Sequence, residues 1–281
     1  MATLVIVTHE FDRFVFRDGA GKVSSIYLLY DVLRHLGAFG HNCRVVLGPV
    51  AEPGDVALLH VDCTLVPDEY LALAGQYART INFGTGDISK RKVSRLMVTR
   101  DDGWDGPVIV KNNLNRGGRL EHFHSLRAGL CGRPPPHPDA RHMETYPVLA
   151  RIGDVGDAVW DDPSLVVERF VPERDGKDYV MRTWVFMGAR ERCNRFVSST
   201  AIAKAEDVLR YEPVAVPEQL RAERERLGFD FGKFDFVIHD GEPVLLDANR
   251  TPGTAGTIRQ LMEQGARNLA EGLHAMIEQA G

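Results

Sequence analysis

The run Gly232-Lys-Phe-Asp-Phe-Val-Ile-His-Asp-Gly-Glu-Pro-Val-Leu-Leu-Asp-Ala-Asn-Arg-Thr-Pro-Gly253 carries the densest chemistry in the chain. Two apolar strands flank Asp240-Gly241, so the segment reads as a hairpin. A two-residue turn would set His239 against Glu242 and put Asp235 and Asp247 on opposite faces. A three-residue loop, His239-Asp240-Gly241, closed by a G1 bulge pairs Ile238 with Glu242 instead. That register is the one expected. It sets Lys233 opposite Asp247, Asp235 diagonal to it and Asn249 on the same face, and leaves Phe234, Phe236, Leu246 and Ala248 for the core. Two carboxylates and an amide on one face of an apolar hairpin are costly without a cation nearby. An oxygen-only donor set suits Mg²⁺, which takes few carboxylates and completes its shell with phosphates. The plainer alternative is a solvated face with a Lys233–Asp247 surface pair.

Other groups could act on phosphates. Lys111 ends the strand-like run Val108-Ile-Val-Lys111 and is followed by Asn115-Arg-Gly-Gly118. A lysine on a strand end is a fixed point charge, and a glycine turn offers backbone N–H groups to an anion. Taken alone, the pair is equally an ordinary hairpin turn. Leu165–Val171 reads as a buried strand containing Glu168 and Arg169. Arg182 lies in the strand that follows, and Lys90 and Lys92 lie in a basic segment upstream. Asp18-Gly-Ala-Gly-Lys22 fails as a phosphate loop, because Phe16 and Val23 replace the required glycine and Ser/Thr; Gly19–Gly21 suit a substrate-side loop instead. His122 and His124 form H-x-H with no third ligand nearby in sequence, so a metal role is not expected. Cys193 and His60 read as core residues.

In this order the pieces resemble the ATP-grasp superfamily, over residues 90 to 253. Its closing hairpin has an acid on one strand, a second acid on the next and an asparagine two residues on, matched by Asp235, Asp247 and Asn249. Asp247 departs from the usual glutamate. The resemblance implies that Lys233 and Arg182 offset charge near the γ-phosphate and acyl oxygen. It implies that Lys111, with Lys90 or Lys92, holds α/β-phosphates under a loop containing Gly117 and Gly118. Glu168, Arg169 and Val171 would form the hinge against which adenine packs. The ribose acid stays open among Glu173, Asp175 and Asp178. The implied activity is an ATP-dependent ligase that activates a small-molecule or peptide carboxylate as an acylphosphate for an amine or similar nucleophile, with Mg²⁺ or Mn²⁺. A small-molecule kinase on the same scaffold and a catalytically silent nucleotide-binding protein are the alternatives.

The elements that must position these groups are α/β in class (α+β). Leu4–Val7, Arg44–Leu47, Val56–Val61 and Thr80–Phe83 read as strands alternating with helices at Val23–Leu36 and from Pro67 to Tyr77, which predicts a small parallel sheet. A helix is expected over Asp87–Val98. Past Pro107 strands dominate, interrupted by a helix at Glu218–Leu227 and closed by one over about 257–279. The expected division is an N-terminal pre-ATP-grasp domain, 1–86, and a two-subdomain ATP-grasp-like region, 87–281. Cys131–Pro147, rich in Pro and His, reads as a loop.

The chain has 281 residues, 44% hydrophobic and 26% charged, with net charge −5, a composition that suits a globular protein and excludes a disulfide mini-protein or a disordered tail. The acidic balance argues against a general nucleic-acid binder. No apolar run reaches the roughly 18 residues needed to span a bilayer. Cys43, Cys63, Cys131 and Cys193 are scattered, which predicts reduced thiols and a cytoplasmic protein. Oligomeric state stays open.

Overall fold

Leu4 and Ile6 alternate with Val5 and Val7 along the first strand, and the two sets enter different cores. That alternation requires apolar cover on both faces, the signature of a buried parallel strand. In the computed structural model this strand, Thr3–Thr8, is central in a four-stranded parallel sheet, with Asn42–Leu47 on one side and Val56–Leu59 then Thr80–Ile81 on the other. Helix Leu28–Leu36 and the closing helix Arg259–Glu278 cover the Leu4/Ile6 face. Helix Asp68–Ala74 covers the other through Tyr70 and Leu73. The structure describes residues 1–279 except 18, 20, 203–206 and 255–258, and it describes no side chains for 259–264. The glycine-rich stretch 18–22 therefore lies partly outside the described residues.

Two antiparallel sheets follow. The larger runs Val208–Pro213, Arg190–Ser198, Asp178–Met187, Phe231–His239, Glu242–Asn249, with Glu173–Asp175 also pairing to Asp178–Met187. Its core face is aromatic: Phe234 packs edge to face on Trp184 and Phe186, and Phe236 joins the same cluster beneath helix Glu218–Arg226, which contributes Leu220. The smaller sheet orders Val148–Leu149, Val108–Asn112, Leu165–Arg169. The chain is thus a mixed α/β protein with one parallel and several antiparallel sheets. Among the described residues no helix is long and apolar enough to cross a membrane.

Three expectations need correction. The helix over Asp87–Val98 shrinks to Lys90–Val93. Ser94 is extended, Val98 N–H donates to Val167 O at 3.0 Å and Arg169 N–H to Leu96 O at 2.8 Å, so sheet pairing with Leu165–Arg169 takes the second half. A helix that the sequence hid occupies Arg119–Leu130. Its buried positions are Glu121, His124 and Ala128, whereas Phe123, Leu126 and Leu130 are exposed, so no apolar stripe advertises it.

The hairpin turn is the third. Asp240 and Gly241 both have positive φ, 50° and 83°, as a two-residue type I′ turn requires, and His239 pairs with Glu242. Without correction this register would part the two aspartates. A register shift between Asp235 and Phe236 restores them, because Phe236 pairs with Leu245 while Asp235 pairs directly with Asp247. Leu246 is the extra residue, and Leu245 takes the core place expected of Leu246. The bulge sits at the carboxylates and aims both at one face.

Candidate active site

The face that carries Asp235 and Asp247 looks across a cleft toward the small sheet. The cleft wall includes the polar and charged residues Lys90, Lys111, Arg116, Tyr146, Asp235 and Asp247. Ile109, Phe170, Val171, Met181, Val237 and Leu246 add an apolar lining. This mixture of charged and apolar lining suits a ligand with both an anionic and a flat apolar part.

The charges on and beside the cleft wall are matched in pairs. Lys90, 5% exposed, contacts the Asp247 carboxylate. Burial alone would lower the Lys90 pKa, but Asp247 outweighs it and holds the ammonium above its ordinary value. Lys233 Nζ donates to Asp235 Oδ2 at 2.6 Å, and Thr183 Oγ1 donates to Asp235 Oδ1 at 2.8 Å. Lys111 Nζ donates to Glu168 Oε2 at 2.6 Å. Glu168 is fully buried and its Oε1 has no partner. An unpaired buried carboxylate oxygen is costly unless a ligand donor completes it. Burial, more than Asp247, raises the Tyr146 phenol, and Lys90 opposes the shift.

The structure separates the candidate lysines. Lys90 is on the cleft wall, whereas Lys92 is exposed on the outside, where its carbonyl accepts from Arg226. Val171 lines the cleft. Arg169 also lines it, with its guanidinium over the Trp104 ring at 5.2 Å and its N–H already donated to Leu96 O. Asn249 shares the face of Asp235 and Asp247 and pairs with Lys233, but its Oδ1 accepts from Thr251 N–H at 2.9 Å.

Two assignments are not supported by placement. Arg182 sits next to Thr183 on its strand, so it points to the opposite face from Asp235 and makes a bidentate pair with Glu173 at 2.7 and 3.0 Å. Gly117 and Gly118 are buried and off the cleft wall. A Cβ there would lie 2.3 Å from Met143 O and 2.6 Å from Arg141 O, so the glycines serve close packing under residues 141–143. Their neighbour Arg116, at φ 49°, is the residue of that turn that reaches the cleft. Asp175 is held by Arg195 and Arg210 and Glu173 by Arg182, and neither they nor Asp178 line the cleft. Arg116, Tyr146 and Thr183 had no distinguishing sequence signal.

His124 of the H-x-H pair is buried and stacks on His9 at 3.8 Å, with His137 6.1 Å away; His122 is exposed. Burial lowers His9 to about 4 and His124 to about 2, and it lowers the fully enclosed His60 to about 4. These rings stay neutral when folded but take protons near pH 6.5 when unfolded, so stability falls as pH drops below about 6.5. Asp12 acts in reverse. Burial, then Asp62, raise it to about 7, so its contribution falls as pH rises from about 4 to 7. Three imidazoles outweigh one carboxyl. The thermal midpoint is therefore expected to be lower at pH 5 than at pH 7, with His60→Leu narrowing the gap. Equal midpoints at the two pH values would contradict this account.

No protein-family model matches the sequence, and no curated protein matches it. Solved structures match along nearly the whole chain. D-alanine–D-alanine ligase from Bacillus anthracis complexed with ATP aligns over 99% of this chain and 98% of its own, at TM-score 0.51 and 10% identity. A RimK domain ATP-grasp protein from Sphaerobacter thermophilus DSM 20745 aligns over 95% and 98%, at 0.50 and 15%. The ATP-grasp ligase PsnB, complexed with minimal precursor, Mg and ADP, aligns over 95% and 97%, at 0.51 and 12%. The chain has the ATP-grasp fold.

Proposed function

We propose that the protein is an ATP- and Mg²⁺-dependent ligase that activates a carboxylate as an acylphosphate for an amine or similar nucleophile. The observation that carries this reading is the set of lysine–carboxylate pairs, Lys90–Asp247, Lys233–Asp235 and Lys111–Glu168, each with at least one member on the wall of one cleft that is otherwise largely apolar. Each pair can open. The lysines then turn to phosphates and the two aspartates to a divalent cation. Residues 87–281 carry this site, and 1–86 form the pre-domain, whose sheet the closing helix covers.

Asp235 and Asp247 fit Mg²⁺ in donor type and in facing one another across the hairpin. Bound there, the ion would neutralise charge on the β- and γ-phosphates. Lys90 and Lys111 hold the phosphate chain, and Lys233 offsets charge at the transferred group. Val171, with the backbone at Arg169, packs the base, and Glu168 Oε1 is free to accept from an exocyclic amine. Positioning and charge neutralisation supply the catalysis, and closure of the cleft keeps water from the acylphosphate.

Lys111→Ala removes one charge-assisted contact, so ATP affinity should fall by about ten- to a hundredfold. Calorimetry showing unchanged affinity would place Lys111 outside the phosphate site. ADP release that requires both a carboxylic acid and an amine, with no phosphorylated end product, supports the ligase reading. A stable phosphorylated product marks a kinase instead.

A further inference from the structure

A second cavity, about 330 Å³, adjoins the cleft, and Arg116 lines both. Its wall brings together Arg13, Arg116, Arg119 and Arg127 with Asp12 and Tyr27. In a chain of net charge −5, four guanidiniums around one hollow are a strong local excess. Among the described residues none of the four is in an ion pair, although Arg133, Arg195, Arg221 and Arg226 all are. Arg119 and Arg127 lie over the Phe123 ring at 5.4 and 6.0 Å, so one helix face holds them in fixed directions. Arg127 also donates to Phe11 O.

The one carboxyl on the wall does little to cancel this charge. Tyr27 Oη lies 2.7 Å from Asp12 Oδ1 and 2.6 Å from Asp62 Oδ2. A phenol has one proton, so it cannot donate to both; one carboxyl must carry a proton and donate back. Burial favours that proton on Asp12. The cavity therefore presents several guanidiniums outside ion pairs and one carboxyl whose charged form burial disfavours.

We propose that this cavity is the acceptor-substrate subsite and that it selects a carboxylic acid with two or more negative charges. One carboxylate lies toward Arg116 and the nucleotide cleft, where it can be activated; the others pair with Arg13, Arg119 and Arg127. Guanidiniums suit this task because each can grip a carboxylate through two parallel N–H donors. The assignment rests on the ligase reading for its chemistry and on the arginine geometry for its selectivity.

The test separates those two supports. The protein is titrated calorimetrically with glutarate, citrate and the dipeptide L-Glu-L-Glu, and with acetate and L-alanine as singly charged or zwitterionic controls. Each titration is run with a non-hydrolysable ATP analogue and Mg²⁺. In parallel reactions with ATP and Mg²⁺ in place of the analogue, hydroxylamine traps any acylphosphate as a hydroxamate: its nitrogen bonds to the acyl carbon as inorganic phosphate leaves. Multiply charged acids should bind and yield hydroxamate, and the controls should not. Arg119→Ala should weaken acid binding by about tenfold or more while leaving analogue affinity unchanged. The dipeptide outperforming the free acids would mark a peptide side chain as the source of the charge; the reverse would mark a small molecule. Analogue binding without preference for multiply charged acids, or an Arg119→Ala protein that binds acids normally, overturns the subsite. Acid binding that needs Arg119, in a protein that does not bind the analogue, keeps the subsite and overturns the ligase reading.

Discussion

Asp247→Asn is expected to reduce Mg²⁺-dependent ADP release by at least about a hundredfold, the scale on which one charged group at a transferring centre counts. The exchange removes a charge and almost no volume. Asp247 also holds Lys90, which is buried beside it, so the variant alters two partnerships at once. Metal-free nucleotide binding separates them. Freed from Asp247, the Lys90 ammonium is available to phosphate, so metal-free affinity should hold or rise while Mg²⁺-dependent turnover collapses. A folded variant with normal ADP release at equal Mg²⁺ would remove Asp247 from the metal site. Asp235→Asn should give the same loss, since the two face each other across the hairpin.

Arg250→Met should produce the largest loss of stability. Arg250 is fully buried directly after the closing hairpin. Its Nε donates to Val61 O at 3.0 Å, and one terminal nitrogen donates to Thr64 O at 2.9 Å and to Cys63 O. These carbonyls follow the Val56–Leu59 strand, so one side chain ties the parallel sheet to the hairpin. Methionine fills similar space but leaves buried acceptors unmet, at a cost of about 3 kcal/mol or more in total. For a chain of this size that lowers the thermal midpoint by roughly 6–12 °C. A shift under about 2 °C would mean that water replaces the guanidinium freely.

The parallel sheet was legible because its central strands, Thr3–Thr8 and Val56–Leu59, are continuous apolar runs bounded by turns, and burial on both faces leaves little room for other residue types in them. The lysine strand and the aromatic hairpin were legible for a related reason: chemistry-bearing residues stood out against an apolar background. Helix Arg119–Leu130 was hidden because it buries Glu121 and His124 in contacts with other elements. Glu121 accepts from Thr64 N–H at 2.5 Å, a partner 57 residues away that no local pattern can signal. The hairpin register is instructive in another way. The sequence placed both aspartates on one face by a three-residue loop, and the structure does so by a tight turn with a bulge at Leu246.

By itself, then, the sequence singled out candidate residues for phosphate and a divalent cation, and predicted that alternating strands would build the first sheet. These follow from residue chemistry and from periodicities that act within a few residues. Only the tertiary structure decided that Lys90 and not Lys92 enters the cleft, that Arg182 turns away to Glu173, that Gly117 and Gly118 sit beneath residues 141–143, and that four arginines from two distant segments meet beside the cleft. The physical reason is that side-chain direction depends on a helix ending at Val93, on strand parity at Thr183 and on long-range packing. Each of these is fixed by contacts between residues far apart in the chain.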